Sequence, residues 1–250
     1  GGSIGFYYAD NAIIDHATAS WGTDETFSSR SCQNITIQRS MISEALGIAG
    51  HRKYPEGTNH GYAATIGGDI GSFHHNLLAN CYGRNWSMGG GTDANGYYAG
   101  RLDIFNNVVY NWVTRTTDGG AHEVNFVNNY YKMGTDTKHT VLFTLNIEGN
   151  LKGTQSAYVN GNIRDNKNGS LSTDKLNDTY RLSIDDGRGS IDWEAFVDTP
   201  YFPSHAKIES AQEAYKSVLS DVGANLPFSD DTDRRVISCL LYTSPSPRDS

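Results

Sequence analysis

The stretch IFNNVVYNW, residues 104–112, sets a doubled polar pair, Asn106-Asn107, between apolar residues. Four other segments can be laid over it without gaps. They are IIDHATASW from Ile13, IQRSMISEA from Ile37, FHHNLLANC from Phe73 and FVNNYYKMG from Phe126. Neighbouring segments start between 22 residues (Ile104 to Phe126) and 36 residues (Ile37 to Phe73) apart. Self-similarity at such a period indicates a solenoid, in which each unit buries its apolar face against its neighbours.

The repeated segments are short, rich in β-branched and aromatic residues, and bounded by Gly, Asn and Asp, so they are predicted to be strands. We therefore expect an all-β chain wound as a right-handed, single-stranded parallel β-helix from about Ile13 to about Asn162. Stacked coils would let the recurrent amides bond to each other at a bend where the backbone turns left-handed. This ladder is the interpretation for Asn76, Asn106, Asn107, Asn128 and Asn129.

The part of the chain after residue 162 carries less of the repeat. Apolar residues at helical spacing predict a helix over Glu209 to Ala224, with Gly223 as its C-cap, packed across the solenoid. The end of the chain, CLLYTSPSPRDS, breaks the pattern and resembles translated sequencing-adapter read-through. We therefore expect one domain over residues 1–237, missing its front coils, and a non-native tail over 238–250.

The composition excludes several classes of function. A formal net charge of −8 over 250 residues gives no uniformly basic surface for nucleic acid. No apolar run is long enough to span a membrane. The three cysteines, Cys32, Cys81 and Cys239, have no metal-binding spacing and are expected to be buried thiols with at most one disulfide.

The segment WGTDE contains the adjacent carboxylates Asp24 and Glu25, directly after the first repeated segment. Such a pair is either a solvated turn or part of an oxygen-ligand site for Ca²⁺. Because neighbouring residues of a strand point to opposite faces, the two side chains are expected to diverge. For the same reason His74 and His75 are expected on opposite faces.

Basic residues near this segment are candidates for contact with an anion. The loop HRKYPEGTNHGY carries His60, which is expected to be freer to act than His74 and His75. The same loop offers Arg52 and Lys53 as possible anion contacts, although a solvated loop is the more ordinary interpretation. Arg84 follows a repeated strand, in CYGRNW. An arginine at a turn is ordinarily a surface charge, and Arg84 becomes a functional candidate only if the coils place it beside Asp24 and Glu25.

Several motifs taken in order carry a family resemblance: WGTDE, HGYAATIGG, SFHHNLLANCYGR, NNVVYNW, VNFVNNYYKMG and SAQEAYKSVLSDVGA. The chain resembles bacterial pectate lyases of the first polysaccharide-lyase family over roughly residues 4–237. The resemblance implies a pectin-lyase-like β-helix, secreted and monomeric, that cleaves polygalacturonate (pectate) by β-elimination with Ca²⁺. It implies Ca²⁺ on Asp24 and Glu25, and Arg84 as the catalytic arginine that either removes the C5 proton or stabilises the enolate.

The sequence also departs from that family. The proline and further arginines that usually follow the catalytic arginine are replaced by Asn85-Trp86-Ser87, so Arg101 or Arg115 would have to contact the substrate. Gly2-Ser3 stands where relatives have a calcium-binding aspartate, and the usual lysine is absent, which leaves His60 or Lys53 to contact uronate.

Two other functions remain open at this stage. A carbohydrate-binding β-helix without activity would keep the groove and lose the base. A hydrolase would need two carboxylates facing each other across the groove, which diverging neighbours do not provide.

Overall fold

A computed structural model of the chain describes residues 2–50, 53–89, 91–149 and 151–242. Two helices, α1 (Ala211–Ser220) and α2 (Asp231–Tyr242), follow the strands. The strands in chain order are β1 (Ile4–Gly5), β2 (Asp10–Asp15), β3 (Thr18–Ser20), β4 (Glu25–Ser28), β5 (Gln33–Gln38), β6 (Met41–Ser43), β7 (Tyr62–Ile66), β8 (Asp69–His74), β9 (Leu77–Ala79), β10 (Ser87–Gly89), β11 (Arg101–Phe105), β12 (Val108–Tyr110), β13 (Thr117–Gly120), β14 (Glu123–Val127), β15 (Tyr130–Lys132), β16 (Phe143–Ile147), β17 (Ser156–Asn160), β18 (Ile163–Asp165), β19 (Leu171–Thr173), β20 (Tyr180–Ile184) and β21 (Phe196–Val197).

These strands form three seven-stranded sheets in which successive coils lie side by side. Sheet 1 has the order β1-β4-β7-β10-β13-β16-β20, sheet 2 the order β2-β5-β8-β11-β14-β17-β21, and sheet 3 the order β3-β6-β9-β12-β15-β18-β19. All pairings between these strands are parallel except that of β18 with β19. The chain therefore winds as the expected right-handed parallel β-helix, with each coil contributing one strand to each sheet.

The core inside the three sheets is built from equivalent side chains stacked coil upon coil. In sheet 2, Ile37 pairs with Phe73, Phe73 with Ile104 and Ile104 with Phe126. These four side chains are buried. The first coil corrects the sequence alignment by one residue, because Ile14 rather than Ile13 pairs with Ile37, and Ile13 is 61% exposed. A shift of one residue turns a side chain to the other face of a strand.

The doubled polar pair occupies the bend between sheets 2 and 3, and its two members have different structural roles. The second member forms the predicted ladder: the backbone NH of Asn76 donates to the Oδ1 of Asn107 at 3.1 Å, and that of Asn107 to the Oδ1 of Asn129 at 3.0 Å. The first member, Asn106 or Asn128, has a φ of 51° or 50° and is the left-handed residue of the bend. The ladder interpretation is confirmed for Asn76, Asn107 and Asn129, whereas Asn106 and Asn128 bind the backbone oxygen of Glu209.

The same bend explains why the prediction for the histidine pair is wrong. His74 ends β8, but His75 has a φ of 54° and reverses the chain direction. Strand alternation does not apply across such a residue. The two Nδ1 atoms consequently lie 2.9 Å apart, and both rings are buried instead of pointing to opposite faces.

The helices cover sheet 3. The side chain of Ser210 accepts from the backbone NH of Glu213, and the Glu213 carboxylate accepts from the NH of Ser210, which forms a capping box for α1. Helix α1 packs against β12 and β15, as predicted. Asp221, not Gly223, is its C-cap; Gly223 lies two residues further on, with φ 82°.

The segment expected to be non-native begins inside α2. Leu240 is buried, and its carbonyl oxygen accepts a hydrogen bond of 2.8 Å from the Nζ of Lys132. The origin of residues 238–242 stays a prediction, and residues 243–250 lie outside the described part of the chain. The three cysteines are free thiols, with Cys32 and Cys81 buried and Cys239 half-buried. Within the described residues, no helix is long and apolar enough to cross a membrane.

Candidate functional site

Three successive coils bring the predicted site residues to the edge of sheet 1 where the chain arrives from sheet 3. Glu25 begins β4 and pairs with Tyr62, the first residue of β7. Tyr62 is in turn bridged to Gly83, the residue before Arg84. The turns that precede these three strands therefore stack on one another, although Glu25 and Arg84 are 59 residues apart in sequence.

Glu25 and Arg84 form an ion pair between Oε1 and Nη1, with side chains 14% and 20% exposed. Glu25 Oε1 also accepts hydrogen bonds from the Oγ1 of Thr65 at 2.9 Å and the Nη2 of Arg30 at 3.1 Å. Burial raises the pKa of Glu25, but the hydrogen bond with Asp24, the charge of Arg84 and the hydroxyl of Thr65 outweigh burial and leave this pKa below its usual value. Glu25 is therefore a carboxylate throughout the neutral and alkaline range.

Asp24 precedes β4 and faces His60. The Oδ1 of Asp24 lies 2.7 Å from the Nδ1 of His60, whose side chain is only 7% exposed. The ring of Tyr54 stacks on the imidazole with centroids 4.0 Å apart, and the edge of Tyr62 meets it at 4.5 Å. His60, which was expected to be freer to act than His74 and His75, is instead held in place by the aspartate and two aromatic rings.

The expectation that Asp24 and Glu25 diverge is also wrong. Asp24 lies in the turn before the strand, where alternation does not apply, and its carboxyl group is within hydrogen-bonding reach of that of Glu25. Two carboxyl groups in contact leave no room for the sugar that a pair of hydrolytic carboxylates must flank. The argument against hydrolysis at this pair thus stands, for a different reason.

The aromatic ring of Tyr62 lies next to two guanidinium groups. The guanidinium carbon of Arg84 lies 4.2 Å from the Tyr62 ring centroid and that of Arg115 lies 5.9 Å from it. Arg115 also donates to both carboxylate oxygens of Asp118, at 2.6 Å and 2.8 Å. Of the two candidates for a second substrate arginine, Arg115 is thus the one that the fold brings beside Arg84.

The other predicted contacts lie elsewhere. Arg101 begins β11 in sheet 2 and binds the carboxylate of Asp69 at 2.7 Å and 3.2 Å. Lys53 is exposed on the loop before β7, and Arg52 falls outside the described residues. The two residues after Arg84, Asn85 and Trp86, are uncharged and buried, so they add no cation to the site.

Sequence reasoning missed Arg30, Thr65 and Tyr62. Their positions have no distinguishing pattern: Tyr62 and Thr65 belong to a strand without visible alternation, YAATI, and Arg30 belongs to a turn of polar residues. The register of β4 against β7 places Tyr62 opposite Glu25. Thr65 and Arg30 are identified by their hydrogen bonds to Glu25.

The fit of this site to Ca²⁺ is partial. Carboxylate oxygens are ligands that Ca²⁺ prefers, and Asp24 and Glu25 supply them side by side. However, the described part of the chain contains no group of three or more His, Cys, Asp or Glu side chains that could hold a metal. Ca²⁺ takes about six to eight oxygen ligands, so this pair would suit an ion completed by water and by carboxylates of a bound polyanion.

A groove of about 1220 Å³ opens beside the ion pair. Arg30 and Thr65, which both bind Glu25, line its near end, and Asp69 and Arg101 line its wall. Residues of the segment 91–100, among them Thr92, Asp93 and Tyr98, line it as well. The fold and the site therefore define a class of protein, a right-handed parallel β-helix with an open groove beside a cluster of partly buried ion pairs.

Comparisons with known proteins show which proteins the chain is similar to. The chain is 32% identical over 239 residues to "Probable pectate lyase C" of Emericella nidulans, covering 92% of this chain and 48% of that protein. It is 29% identical over 248 residues to the protein of the same name from Aspergillus flavus, covering 94% and 50%. The chain therefore spans about half the length of these relatives. Its sequence similarity is to pectate lyases of fungi; a bacterial source and membership of the first lyase family stay predictions.

A solved structure, "Structure of the thermostable pectate lyase PL 47", aligns with a TM-score of 0.45 and 15% identity, covering 80% of this chain and 54% of that one. No protein-family model matches the chain.

Proposed function

We propose that this chain is a polysaccharide lyase that cleaves polygalacturonate by β-elimination. The observation that carries the proposal is the contact between Arg84 and Glu25, because it joins the two residue types that the reaction needs beside a groove. The names of the fungal relatives support the same substrate.

The chemistry begins at the C5 proton of a uronate unit, which becomes acidic when the attached carboxylate is neutralised. Arg84 is the group proposed to act at this carbon. Because a guanidinium stays protonated in proteins, its direct contribution is to stabilise the negative charge that develops as the proton leaves. As the C5 proton passes to a water molecule, the C4–O4 bond breaks, the 4-linked sugar leaves with that electron pair and takes a proton from solvent, and a C4–C5 double bond remains.

The surrounding residues hold Arg84 for this role. Tyr62 supports one face of the guanidinium, and Glu25 fixes its Nη1 atom. Arg115, held by Asp118, offers a second cation for a neighbouring uronate. The imidazole of His60, held beside Asp24, is the remaining candidate of the site to contact a uronate carboxylate.

We propose Ca²⁺ as the cofactor, held by Asp24 and Glu25 together with carboxylates of the substrate. When bound, it would neutralise the uronate carboxylate and bridge an acidic protein to a polyanion. We further propose a monomeric protein that acts outside the cell, because a polymer of this size does not enter one.

The decisive experiment follows the ultraviolet absorbance of unsaturated ends while the protein acts on polygalacturonate, with Ca²⁺ and with a chelator. Arg84→Ala is expected to lower kcat about 100-fold or more, the usual effect of removing one group that stabilises developing charge. Arg181→Ala is the matched control, because Arg181 is exposed at the far end of sheet 1, on β20. Saturated reducing ends would indicate a hydrolase instead.

A binding protein without activity is the second candidate, and one observation favours it. The positions after Arg84 turn into the core as Asn85 and Trp86 and provide none of the additional guanidinium groups expected there. Tight binding of polygalacturonate that leaves the polymer intact, with and without Ca²⁺, would establish this function and exclude the lyase.

A further inference from the structure

The groove next to Glu25 has a charge pattern unlike that of the ion-pair cluster. Its near end begins at Arg30 and Thr65, so a polymer bound at Arg84 and extending along sheet 1 enters it directly. At about 1220 Å³ it is larger than the roughly 300–1,000 Å³ of pockets for small ligands, and thus accommodates more than one sugar unit.

Of the two arginines that line the groove, Arg101 is paired with Asp69, whereas Arg30 shares the carboxylate of Glu25 with Arg84. Arg30 binds Glu25 at 3.1 Å. Arg101 is bound by both oxygens of Asp69, and this hydrogen bonding raises the pKa of Arg101. No lysine is found among the described residues that line the groove.

Two further carboxylates, those of Asp93 and Glu148, line the same groove. Asp93 uses one oxygen to accept from the backbone NH groups of Asn95 and Tyr97, at 2.8 Å and 2.9 Å, which stabilises a tight turn but does not cancel its charge. A uronate carboxylate placed in the part of the groove beyond Arg30 meets one arginine that is already paired, Arg101, and two acids of its own sign. Like charges brought together in a partly enclosed site cost binding free energy.

The rest of the lining suits an uncharged sugar. Tyr8 presents an exposed ring, and Ser31, Gln33, Ser87 and Thr92 provide hydroxyl and amide groups. Aromatic faces and neutral hydrogen-bonding groups recognise sugar rings without requiring a charge on them.

From this pattern we infer that the groove is a subsite for uncharged units of the polymer, namely methyl-esterified galacturonate, next to the charged unit held at Arg84. The inference rests on the proposed function and adds to it a substrate class: partly esterified pectin rather than fully ionised pectate.

The test compares kcat/KM on unesterified, half-esterified and fully esterified polygalacturonate. The half-esterified polymer should be the best substrate. In Asp69→Asn, Arg101 loses its partner and becomes available to a uronate carboxylate, so the preference for the half-esterified over the unesterified polymer should fall by about threefold to tenfold. Asp192→Asn, which removes an exposed carboxylate that does not line the groove, should leave the preference unchanged.

A binding measurement separates failure of this inference from failure of the lyase proposal. Calorimetric titration of Arg84→Ala with esterified and unesterified oligogalacturonates reports on the groove whether or not the protein cleaves. Tighter binding of the esterified oligomer, weakened in Arg84→Ala/Asp69→Asn, supports the inference. Tighter binding of the unesterified oligomer, or a preference unaffected by Asp69→Asn, overturns it. Absence of any unsaturated product overturns only the lyase activity.

Discussion

The aromatic ring of Tyr62 carries the guanidinium of Arg84 on its face, with the guanidinium carbon 4.2 Å from the ring centroid. The same ring lies 5.9 Å from the guanidinium carbon of Arg115, so one side chain positions both arginines proposed to meet the substrate. Arg84 is thereby held between an aromatic face and the Glu25 carboxylate.

Tyr62→Leu should therefore lower kcat while Tyr62→Phe retains most of it. A cation–π contact in a partly desolvated site is worth about 1–2 kcal/mol, which corresponds to a loss of about fivefold to thirtyfold in kcat for the leucine variant. Tyr82→Leu is the matched control, because its ring lies beside Tyr62 without a contact to Arg84 among those described. Equal losses in the phenylalanine and leucine variants would show that the hydroxyl, not the ring face, matters.

The asparagine ladder should dominate the stability of the central coils. Asn129 Oδ1 accepts from the backbone NH and the Nδ2 of Asn107, and Asn129 Nδ2 donates to the carbonyl oxygen of Ile104 and to Asn162 Oδ1. Asn129→Ala leaves several buried polar groups without partners, each costing about 1–3 kcal/mol. We expect unfolding to shift to clearly lower urea concentration, with a loss of about 3 kcal/mol or more.

Asn160→Ala is the control for this measurement, because Asn160 is exposed at the end of β17 and its replacement should change stability by less than about 0.5 kcal/mol. Similar effects of the two substitutions would contradict the structural role of the ladder.

The sequence was sufficient for the architecture because a solenoid repeats its information. Five copies of one segment predict strands, register and a bend, and an error in one copy is small: Ile13 was misaligned with Ile37 by a single residue. The charge cluster is different. It depends on the lateral register of loops of unequal length, which alternation does not predict, so Arg84 could only be proposed as a neighbour of Glu25, and Tyr62 was not found.

Local backbone conformation is the second feature that the sequence pattern does not predict. The predictions for His75 and Asp24 assume a strand conformation, yet the backbone of His75 is left-handed and Asp24 lies in a turn. Alternation of side chains holds only within an extended strand. In both cases the structure consequently brings together two adjacent side chains that strand alternation predicts on opposite faces.

Asp103 should make stability fall as the pH rises. This residue of sheet 2 is buried, with both carboxylate oxygens lacking a hydrogen bond of good geometry, and burial raises its pKa to about 6 despite the proximity of Ser204, Asn125 and His205. Between about pH 4 and pH 6 the unfolded chain has lost this proton while the folded chain retains it, so folding becomes less favourable by up to about 3 kcal/mol.

The variant Asp103→Asn removes this penalty. It should unfold at higher urea concentration than the parent protein at about pH 8 and differ little at about pH 4. Asp118→Asn is unsuitable as a control because Asp118 binds Arg115, whereas Asp192→Asn removes an exposed carboxylate and should show no such pH dependence. A loss of stability in Asp103→Asn at alkaline pH would mean that the ionised carboxylate is needed.

His74 should act in the opposite direction over nearly the same range of pH. Burial, followed by the proximity of His75 and Arg39, lowers its pKa from 6.5 to about 4, and its ring stacks on Phe105 with centroids 4.8 Å apart. A histidine that is neutral in the folded state stabilises fully above its unfolded pKa, and this contribution is lost as the pH falls from about 6.5 to about 4.

His74→Phe keeps an aromatic ring on Phe105 and cannot take up the proton. Although it loses the contact with His75 and should be less stable at neutral pH, its stability should decline less between about pH 6.5 and pH 4 than that of the parent protein. Urea denaturation at several pH values measures this slope, and an unchanged slope would show that His74 has the same pKa in the folded and the unfolded protein. Because Asp103 gains stability on acidification where His74 loses it, the two single variants should change the pH dependence with opposite sign, and the double variant should resemble the parent protein, in which the two contributions largely cancel.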